Sequence, residues 1–311
     1  MKYLVTGGAG FIGSHLVEAL LSRGESVRVL DNFLTGKPEN LQPFRDRIEL
    51  IRGDAADPAT AASAVAGMDC VLHQAALPSV PRSVADPLGC HHNCLSTTLC
   101  ILEAARRAGV RRVVLASSSS VYGDQPELPK RESQTPAPKS PYAAAKLACE
   151  LYARTYSRLH GLSTACLRYF NVFGPRQDPN SQYAAVVPAF VTAVLAGAHP
   201  TVYGDGRQSR DFTYVGNVVE ANILAATARR ELAGEAMNIA CGQRFSLLDL
   251  LTGISGIAGR QASPRFEPPR AGDVRDSQAD ISLAGELIGY RPGVSFDRGL
   301  EITVRSYAGG G

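Results

Sequence analysis

Short β-branched and apolar runs alternate with longer amphipathic stretches through the first half of the chain. Lys2–Thr6, Ser26–Leu30, Ile48–Arg52, Cys70–Gln74 and Arg112–Ala116 read as strands, and a helix is expected from about Phe11 to Arg23. The strand runs are apolar at successive positions, as in Val113-Val114-Leu115, which suits central strands of a parallel sheet covered on both faces. Helical patterns fill most of the gaps, so the expected class is α/β with a doubly wound parallel sheet. After about residue 170 the rhythm loosens. Gly174-Pro175, Pro179, Pro188, Gly204-Asp205-Gly206, Pro264, Pro268-Pro269 and Pro292-Gly293 punctuate shorter elements, which serve better as loops over a ligand than as sheet. A domain boundary is expected there. No internal repeat recurs at a period of about 20 to 50 residues, and Gly309-Gly310-Gly311 reads as a frayed tail.

Composition narrows the partners. The chain has 311 residues, of which 45% are hydrophobic and 20% charged, the proportions of a globular protein large enough for two domains. The net charge of +3 is spread without runs of one sign, too weak and diffuse to predict a nucleic-acid partner. No apolar run approaches the roughly 20 residues of a membrane helix, so no membrane association is expected. Residues 2–6 run straight into a glycine loop, where a secretory leader would place a basic and then an apolar stretch; this predicts a cytoplasmic location. Seven cysteines with no CxxC spacing read as reduced and mostly buried.

The first candidate chemistry lies at the end of the first strand. Gly7-Gly8-Ala9-Gly10-Phe11-Ile12-Gly13 joins it to the first helix, and glycines at 7, 10 and 13 or at 8, 10 and 13 fit the two related dinucleotide fingerprints. Small residues there let backbone N–H groups and a helix N-terminus approach a pyrophosphate. Asp31, 18 residues after Gly13, can accept hydrogen bonds from a ribose and would repel the 2′-phosphate of NADP. Asn32 follows it in place of an arginine that would welcome that phosphate, so NAD is the expected cofactor of a Rossmann-type domain. Asp54 can accept a bond from an adenine amino group or can be an exposed turn aspartate.

Tyr142-Ala143-Ala144-Ala145-Lys146 opens a second helix after Ser140-Pro141. The four-residue spacing puts phenol and ammonium on one face, and the cation favours the phenolate of a side chain whose ordinary pKa is about 10. The pair can take a proton from an alcohol. The serine run Ser117-Ser118-Ser119-Ser120 before Val121-Tyr122-Gly123 falls beyond the end of the fifth strand, where ligands bind in open α/β sheets.

These segments together resemble the extended short-chain dehydrogenase/reductase family. Tyr169-Phe170-Asn171-Val172-Phe173-Gly174-Pro175-Arg176-Gln177, Arg210-Asp211-Phe212-Thr213-Tyr214-Val215 and Arg270-Ala271-Gly272-Asp273 narrow the resemblance to the nucleotide-sugar 4-epimerases that act on UDP-glucose and UDP-N-acetylglucosamine. It covers essentially the whole chain. It implies an NAD-binding domain over 1–169, to which segments near 209–240 return, and a mainly UDP-sugar-binding region over 170–311. Ser118 would be the catalytic hydroxyl, Tyr142 the base, and Lys146 the cation that also touches the nicotinamide ribose. Gly7, Gly10, Phe11, Ile12, Gly13, Asp31, Asn32, Asp54, Ala55, Ala75, Ala76, Asn93 and Tyr169 would line the cofactor with Tyr142 and Lys146. Asn171 would bind the diphosphate, and Arg210, Arg270 and Asp273 the diphosphate and uridine ribose, a match of arginine forks to phosphate and of carboxylate to diol. Ser79, Ser118, Ser119 and Ser277 would complete the substrate contacts with Tyr142. Pro78 departs from the pattern, since several members carry lysine there.

The implied reaction is C4 epimerisation through a 4-keto sugar, with UDP-N-acetylglucosamine and UDP-N-acetylgalactosamine accepted because the small Ser277 leaves room at the sugar 2-position, and UDP-glucose and UDP-galactose accepted as well. Ser119 and Ser120 stand where dehydratases and decarboxylases carry an acid, which disfavours both. A UDP-glucuronate 4-epimerase stays open, as does a non-catalytic NAD-binding or nucleotide-binding regulator. Cys90-His91-His92-Asn93-Cys94 has zinc-ligand residue types, but adjacent histidines on a helix diverge, so no metal is expected. The helices around 93–108 and 141–158 resemble those that pair in family homodimers, which implies a dimer.

Overall fold

The computed structural model describes residues 1–179, 185–269 and 275–309. Seven parallel strands form one sheet: β1 (Lys2–Thr6), β2 (Ser26–Asp31), β3 (Ile48–Arg52), β4 (Cys70–His73), β5 (Arg112–Ser118), β6 (Ser163–Tyr169) and β7 (Ala233–Ile239). Their order is β7-β6-β5-β4-β1-β2-β3. The connections leave β1 toward β2 and β3 on one side, and run from β4 through β5 to β6 on the other. Ligands bind at such a reversal in doubly wound sheets.

The helices are α1 (Phe11–Ser22), α2 (Pro58–Val65), α3 (Val80–Ala85), α4 (Pro87–His91), α5 (Thr97–Ala108), α6 (Pro141–His160), α7 (Val186–Leu195), α8 (Val215–Thr227), α9 (Leu247–Ala258), α10 (Ser282–Ile288) and α11 (Phe296–Ala308). Successive strand residues point to opposite faces. Tyr3 and Val5 therefore pack under Leu16 and Leu20 of α1, Val218 of α8 and Leu287 of α10. Leu4, between them, packs with Val65 of α2, Leu102 of α5 and Ala153 of α6. Both faces of the central strands are thus covered, which explains their unbroken apolar runs.

Element ends differ from the sequence reading by one or two residues. The β5 strand continues through Ser118 because its pairing with β6 extends to Ser118 opposite Tyr169. The β3 strand is a sheet edge rather than a covered strand: Leu50 is 45% exposed, and Glu49 reaches across to Arg28 at 2.8 Å.

After Tyr169 the chain divides its elements. The β7 strand extends the sheet beside β6, and α8 packs on its α1 face. A separate core gathers Val191 and Val194 of α7, Leu250 and Ile254 of α9, and Phe296 and Leu300 of α11 around Phe173 and Phe212. Three small strand pairs tie this region together: Val172–Phe173 with Thr213–Tyr214, Ser209–Arg210 with Phe245–Ser246, and Thr201–Tyr203 with Arg265–Glu267. No helix among the described residues is long and apolar enough to cross a membrane. All seven cysteines are free.

One buried cation ties the returning segment to the sheet. Arg112, at the start of β5, is 1% exposed. Its guanidinium donates to Ser163 Oγ at 2.9 Å, Ala225 O at 2.9 Å, Ala228 O at 2.8 Å and Arg230 O at 2.7 Å. It therefore caps the carbonyl end of α8, where a positive charge also meets the negative end of the helix dipole. A lysine cannot span these four acceptors. Arg112→Lys is expected to lower unfolding free energy by about 2–4 kcal/mol, the loss of one or two charge-assisted bonds, read from urea melts; an unchanged midpoint would show the cap to be dispensable.

Candidate active site

The sheet reversal lies between β1 and β4, and the glycine loop sits there. Gly7 has a left-handed φ of 67°, and a Cβ on it would fall 2.8 Å from Ala75 N in the segment after β4. A Cβ on Gly13 would fall 2.1 Å from Gly7 O. The loop is thus closed down to backbone-on-backbone contact, with Gly10 as the N-cap of α1. No side chain caps that helix, and no acidic residue stands in its first turn. Its first N–H groups, on Phe11 and Ile12, remain available to an anion. The cradle fits a dinucleotide pyrophosphate.

Asp31 ends β2 beside this loop and is 6% exposed. It accepts from Ala9 N at 2.8 Å and Phe33 N at 2.7 Å. Burial pushes its carboxyl above the ordinary value, against the lowering effect of those two bonds. The carboxylate so fixes the loop from the β2 side. Asn32 accepts from Leu34 N at 3.0 Å. Asp54 accepts from Ala56 N at 2.9 Å and lies 2.9 Å from His92 Nε2. Burial opposes its ionisation, but the Ala56 bond and His92 outweigh that and hold it below the usual range. Among the described residues no three His, Cys, Asp or Glu side chains gather as a metal site.

Ala55 is buried behind Asp54, and Ala75 N donates to Thr6 Oγ1 at 3.2 Å. Ala76 and Tyr142 both pack against the cluster of Cys90, Cys94 and Ala145. Asn93 lies in a π-helical turn, His92–Ser96, and donates to Gly89 O at 2.8 Å; such turns are frequent at functional sites. The Tyr169 hydroxyl is taken by the amide of Asn222 at 2.8 Å.

Ser140 caps α6 by accepting from Ala143 N at 3.2 Å, and Pro141 starts the helix. Tyr142 and Lys146 then share one face. Lys146 is 3% exposed and donates to Ala116 O at 2.8 Å, while its Nζ lies 5.9 Å from the Tyr142 ring centre. Ser118 lies against the Tyr142 phenol. Burial pushes the phenol up; the Lys146 cation and hydrogen bonding with Ser118 pull it back down, and the net direction is upward. Burial is the largest influence on Lys146 and would discharge it, but the adjoining phenol together with Cys94, Cys149 and Tyr169 outweighs it and the ammonium is raised. The resting pair is phenol and ammonium, already in contact with a hydroxyl. Tyr122, the other tyrosine of the segment, is buried with its hydroxyl between Arg168 and Asn238 at 2.8 and 2.7 Å, so it has no access to a substrate proton.

Of the residues expected on the substrate side, Asn171, Ser277 and the Arg210 segment come together beyond β6. Asn171 adopts a φ of 32°, an uncommon conformation concentrated at functional sites. Its amide donates to Ser277 Oγ at 3.1 Å and Asp211 O at 3.3 Å. Arg210 donates to Ser209 O at 3.0 Å and Arg275 O at 2.8 Å. Ser79 caps α3 by accepting from Arg82 N at 3.2 Å, and Ser119 opens the short turn after β5. Arg270 and Asp273 lie outside the described residues.

Sequence reasoning gave Asp211 no role. The structure buries it completely, with its carboxylate accepting from Cys241 N and Gly242 N at 3.0 Å and Ala279 N at 3.1 Å. Burial raises it to about 6 despite these bonds. It clamps the segments that carry Arg210 and Ser277. Its partners are remote in sequence, so no local pattern could have revealed them.

Comparison with known proteins agrees with this arrangement. The NAD dependent epimerase/dehydratase family model matches residues 3–240. The chain belongs to that family. It is an NAD-dependent enzyme. A UDP-glucose 4-epimerase of Mycolicibacterium smegmatis is 40% identical over 99% of this chain and 98% of its own. Among solved structures, the UDP-N-acetylglucosamine 4-epimerase of Methanobrevibacter ruminantium in complex with UDP-N-acetylmuramic acid superposes with a TM-score of 0.94, 41% identity, and coverage of 99% and 98%. The UDP-glucose 4-epimerase of Thermus thermophilus in complex with NAD superposes with a TM-score of 0.91, 40% identity, and full coverage of both chains. Glucuronate 4-epimerases, decarboxylases and 4,6-dehydratases are also related, at 32–37% identity. The chain is nucleotide-sugar 4-epimerase-like, within a set of relatives that also includes decarboxylases and dehydratases.

The glycine cradle yields a direct test. Gly13→Ala puts a methyl where Gly7 O lies and must open the loop. Calorimetry on cofactor-free protein should show NAD affinity lowered by at least about tenfold, or 1.4 kcal/mol. Wild-type affinity would mean that the pyrophosphate does not use this loop.

Proposed function

We propose that the protein interconverts a UDP-sugar and its C4 epimer, with UDP-N-acetylglucosamine and UDP-N-acetylgalactosamine as one pair and UDP-glucose and UDP-galactose as another. The observation that carries this reading is the meeting of Tyr142, Lys146 and Ser118 at the carboxyl end of β5, with serines rather than acids at 119 and 120. One acid–base group suffices for a reaction that removes and restores a single proton. A dehydration would need further acid–base groups.

In this reading the glycine loop and the α1 N-terminus hold the NAD pyrophosphate, Asp31 its ribose, and Lys146 the nicotinamide ribose. Bound NAD supplies a hydride acceptor that can return the hydride to the carbon it came from. Tyr142, with Lys146 favouring its phenolate, takes the proton of the sugar 4-hydroxyl. Ser118 holds the same oxygen, and Tyr142 gives the proton back once the other face of the 4-keto sugar is presented. Asn171 and Arg210 hold the diphosphate, with Arg270 and Asp273 assigned to the uridine end by resemblance. Ser277 is small and bonded to Asn171, which supports room beside the sugar for an acetamido group. The free cysteines suit the reducing cytoplasm.

Proton NMR of a panel of five UDP-sugars, the four above and UDP-glucuronate, tests the assignment. Deuterium placed at C4 should remain at C4 in the epimer, and little or no added NAD should be needed. Washout of the label, or turnover of UDP-glucuronate alone, would overturn the proposed reaction or the proposed sugar respectively. Tyr142→Phe should lower turnover by about 10²–10⁴-fold while UDP-sugar binding persists.

We also propose a homodimer built on α6. Leu151 and Leu159 on that helix are 56% and 72% exposed, and Val84 and Leu88 on the adjoining α3 and α4 are 65% and 83% exposed. Apolar side chains of this size grouped on neighbouring helices mark an interaction surface, and a second copy brings the same helices to it. Light scattering should give twice the chain mass for the wild type and the monomer mass for Leu159→Glu. A monomeric wild type would refute it.

A further inference from the structure

The end of β5 and the catalytic face of α6 are joined residue by residue. Ala116 O accepts from Lys146 Nζ at 2.8 Å. Ser117 Oγ donates to Glu150 Oε1 at 2.5 Å. Ser118 meets the Tyr142 phenol. Three consecutive strand residues thus engage Tyr142, Lys146 and Glu150, which follow one another at four-residue spacing on one helix face. The Glu150 end is fixed from a second strand. Arg168 of β6 grips the same carboxylate with Nε at 2.9 Å and Nη2 at 2.7 Å, and both side chains are 5% exposed. The remaining guanidinium nitrogen, Nη1, donates to the Tyr122 hydroxyl.

A strand and a helix packed through apolar side chains alone can slide by a fraction of an ångström at little cost. Proton transfer tolerates no such slack, because a displacement of about 1 Å can cost 10²-fold in rate. The bond from Ser117 to Glu150 is the one polar link of the three that uses no group assigned to the reaction. It leaves Glu150 fully paired with Arg168 when removed, so the fold does not depend on it.

We propose that Ser117, acting through Glu150, is a positioning residue that sets the register of α6 on β5 and so places Tyr142 against Ser118. This rests on the reading of Tyr142 as the proton-transfer group. Neither Ser117 nor Glu150 touches substrate or cofactor in this scheme.

The test uses Ser117→Ala in the full-length holoenzyme. Its kcat should fall by about tenfold to 10²-fold with KM unchanged and only a small loss of thermal stability. On apo protein labelled at tyrosine Cζ, carbon NMR should show the Tyr142 ionisation, identified through Tyr142→Phe, moved to higher pH as Ser118 disengages. Tyr122→Phe removes an acceptor from Arg168 but none of the three links to α6, so it should lower the melting temperature and spare kcat. Wild-type kcat and Tyr142 titration in Ser117→Ala would overturn the proposal. An equal kcat loss in Tyr122→Phe would also overturn it, by tracing the loss to the stability of the network. If the wild type epimerises no UDP-sugar, the proposed function fails, and the Tyr142 titration still decides whether Ser117 positions the phenol.

Discussion

The approach of β1 to β4 at their carboxyl ends is the constraint on which the rest of the site depends. Crossovers leave in opposite directions from these two neighbouring strands, so no helix fills the space above them. Gly7, with φ 67° and no room for a Cβ against Ala75 N, brings the two segments to backbone contact. That contact aims the uncapped start of α1 into the crevice. Asp31, bonded to Ala9 N and Phe33 N, holds the loop from its other side. Each feature is ordinary alone; together they leave a positive helix end and a buried carboxylate facing the same cleft. The cofactor cradle is therefore a consequence of sheet topology first and of glycine second.

Much of this was legible because it is local. The β1 strand, the glycine loop and α1 are contiguous, and the spacing of Tyr142 and Lys146 is a property of one helix turn. The region beyond Tyr169 was legible only as loops. Apart from β7, its strands are two or three residues long and exist through pairing with distant segments, such as Ser209–Arg210 against Phe245–Ser246, so no periodicity announces them. Asp211 is the clearest case. Its donor partners stand 30, 31 and 68 residues away, and in sequence it is merely the acid after Arg210. Glu150 shares the spacing of Tyr142 and Lys146, but a glutamate on a helix reads as solvated until β6 brings Arg168 against it.

The buried charges around α6 also explain how one cation can serve the phenol. Glu150 is one turn beyond Lys146 on the same face, close enough in sequence to compete for its charge. Arg168 prevents this by taking both carboxylate oxygens at 2.9 and 2.7 Å, and the Ser117 bond draws on Oε1 as well. Among the described residues no carboxylate forms an ion pair with Lys146, which donates to the neutral Ala116 carbonyl. Its positive charge is left to act on Tyr142. A buried ion pair adds little net stability once its desolvation is counted, so the Glu150–Arg168 pair is better understood by what it withholds. By pairing with Glu150, Arg168 keeps that carboxylate from competing for Lys146, while fixing the helix on which Tyr142 sits. Electrostatic isolation of Lys146 and mechanical register of α6 thus come from the same pair.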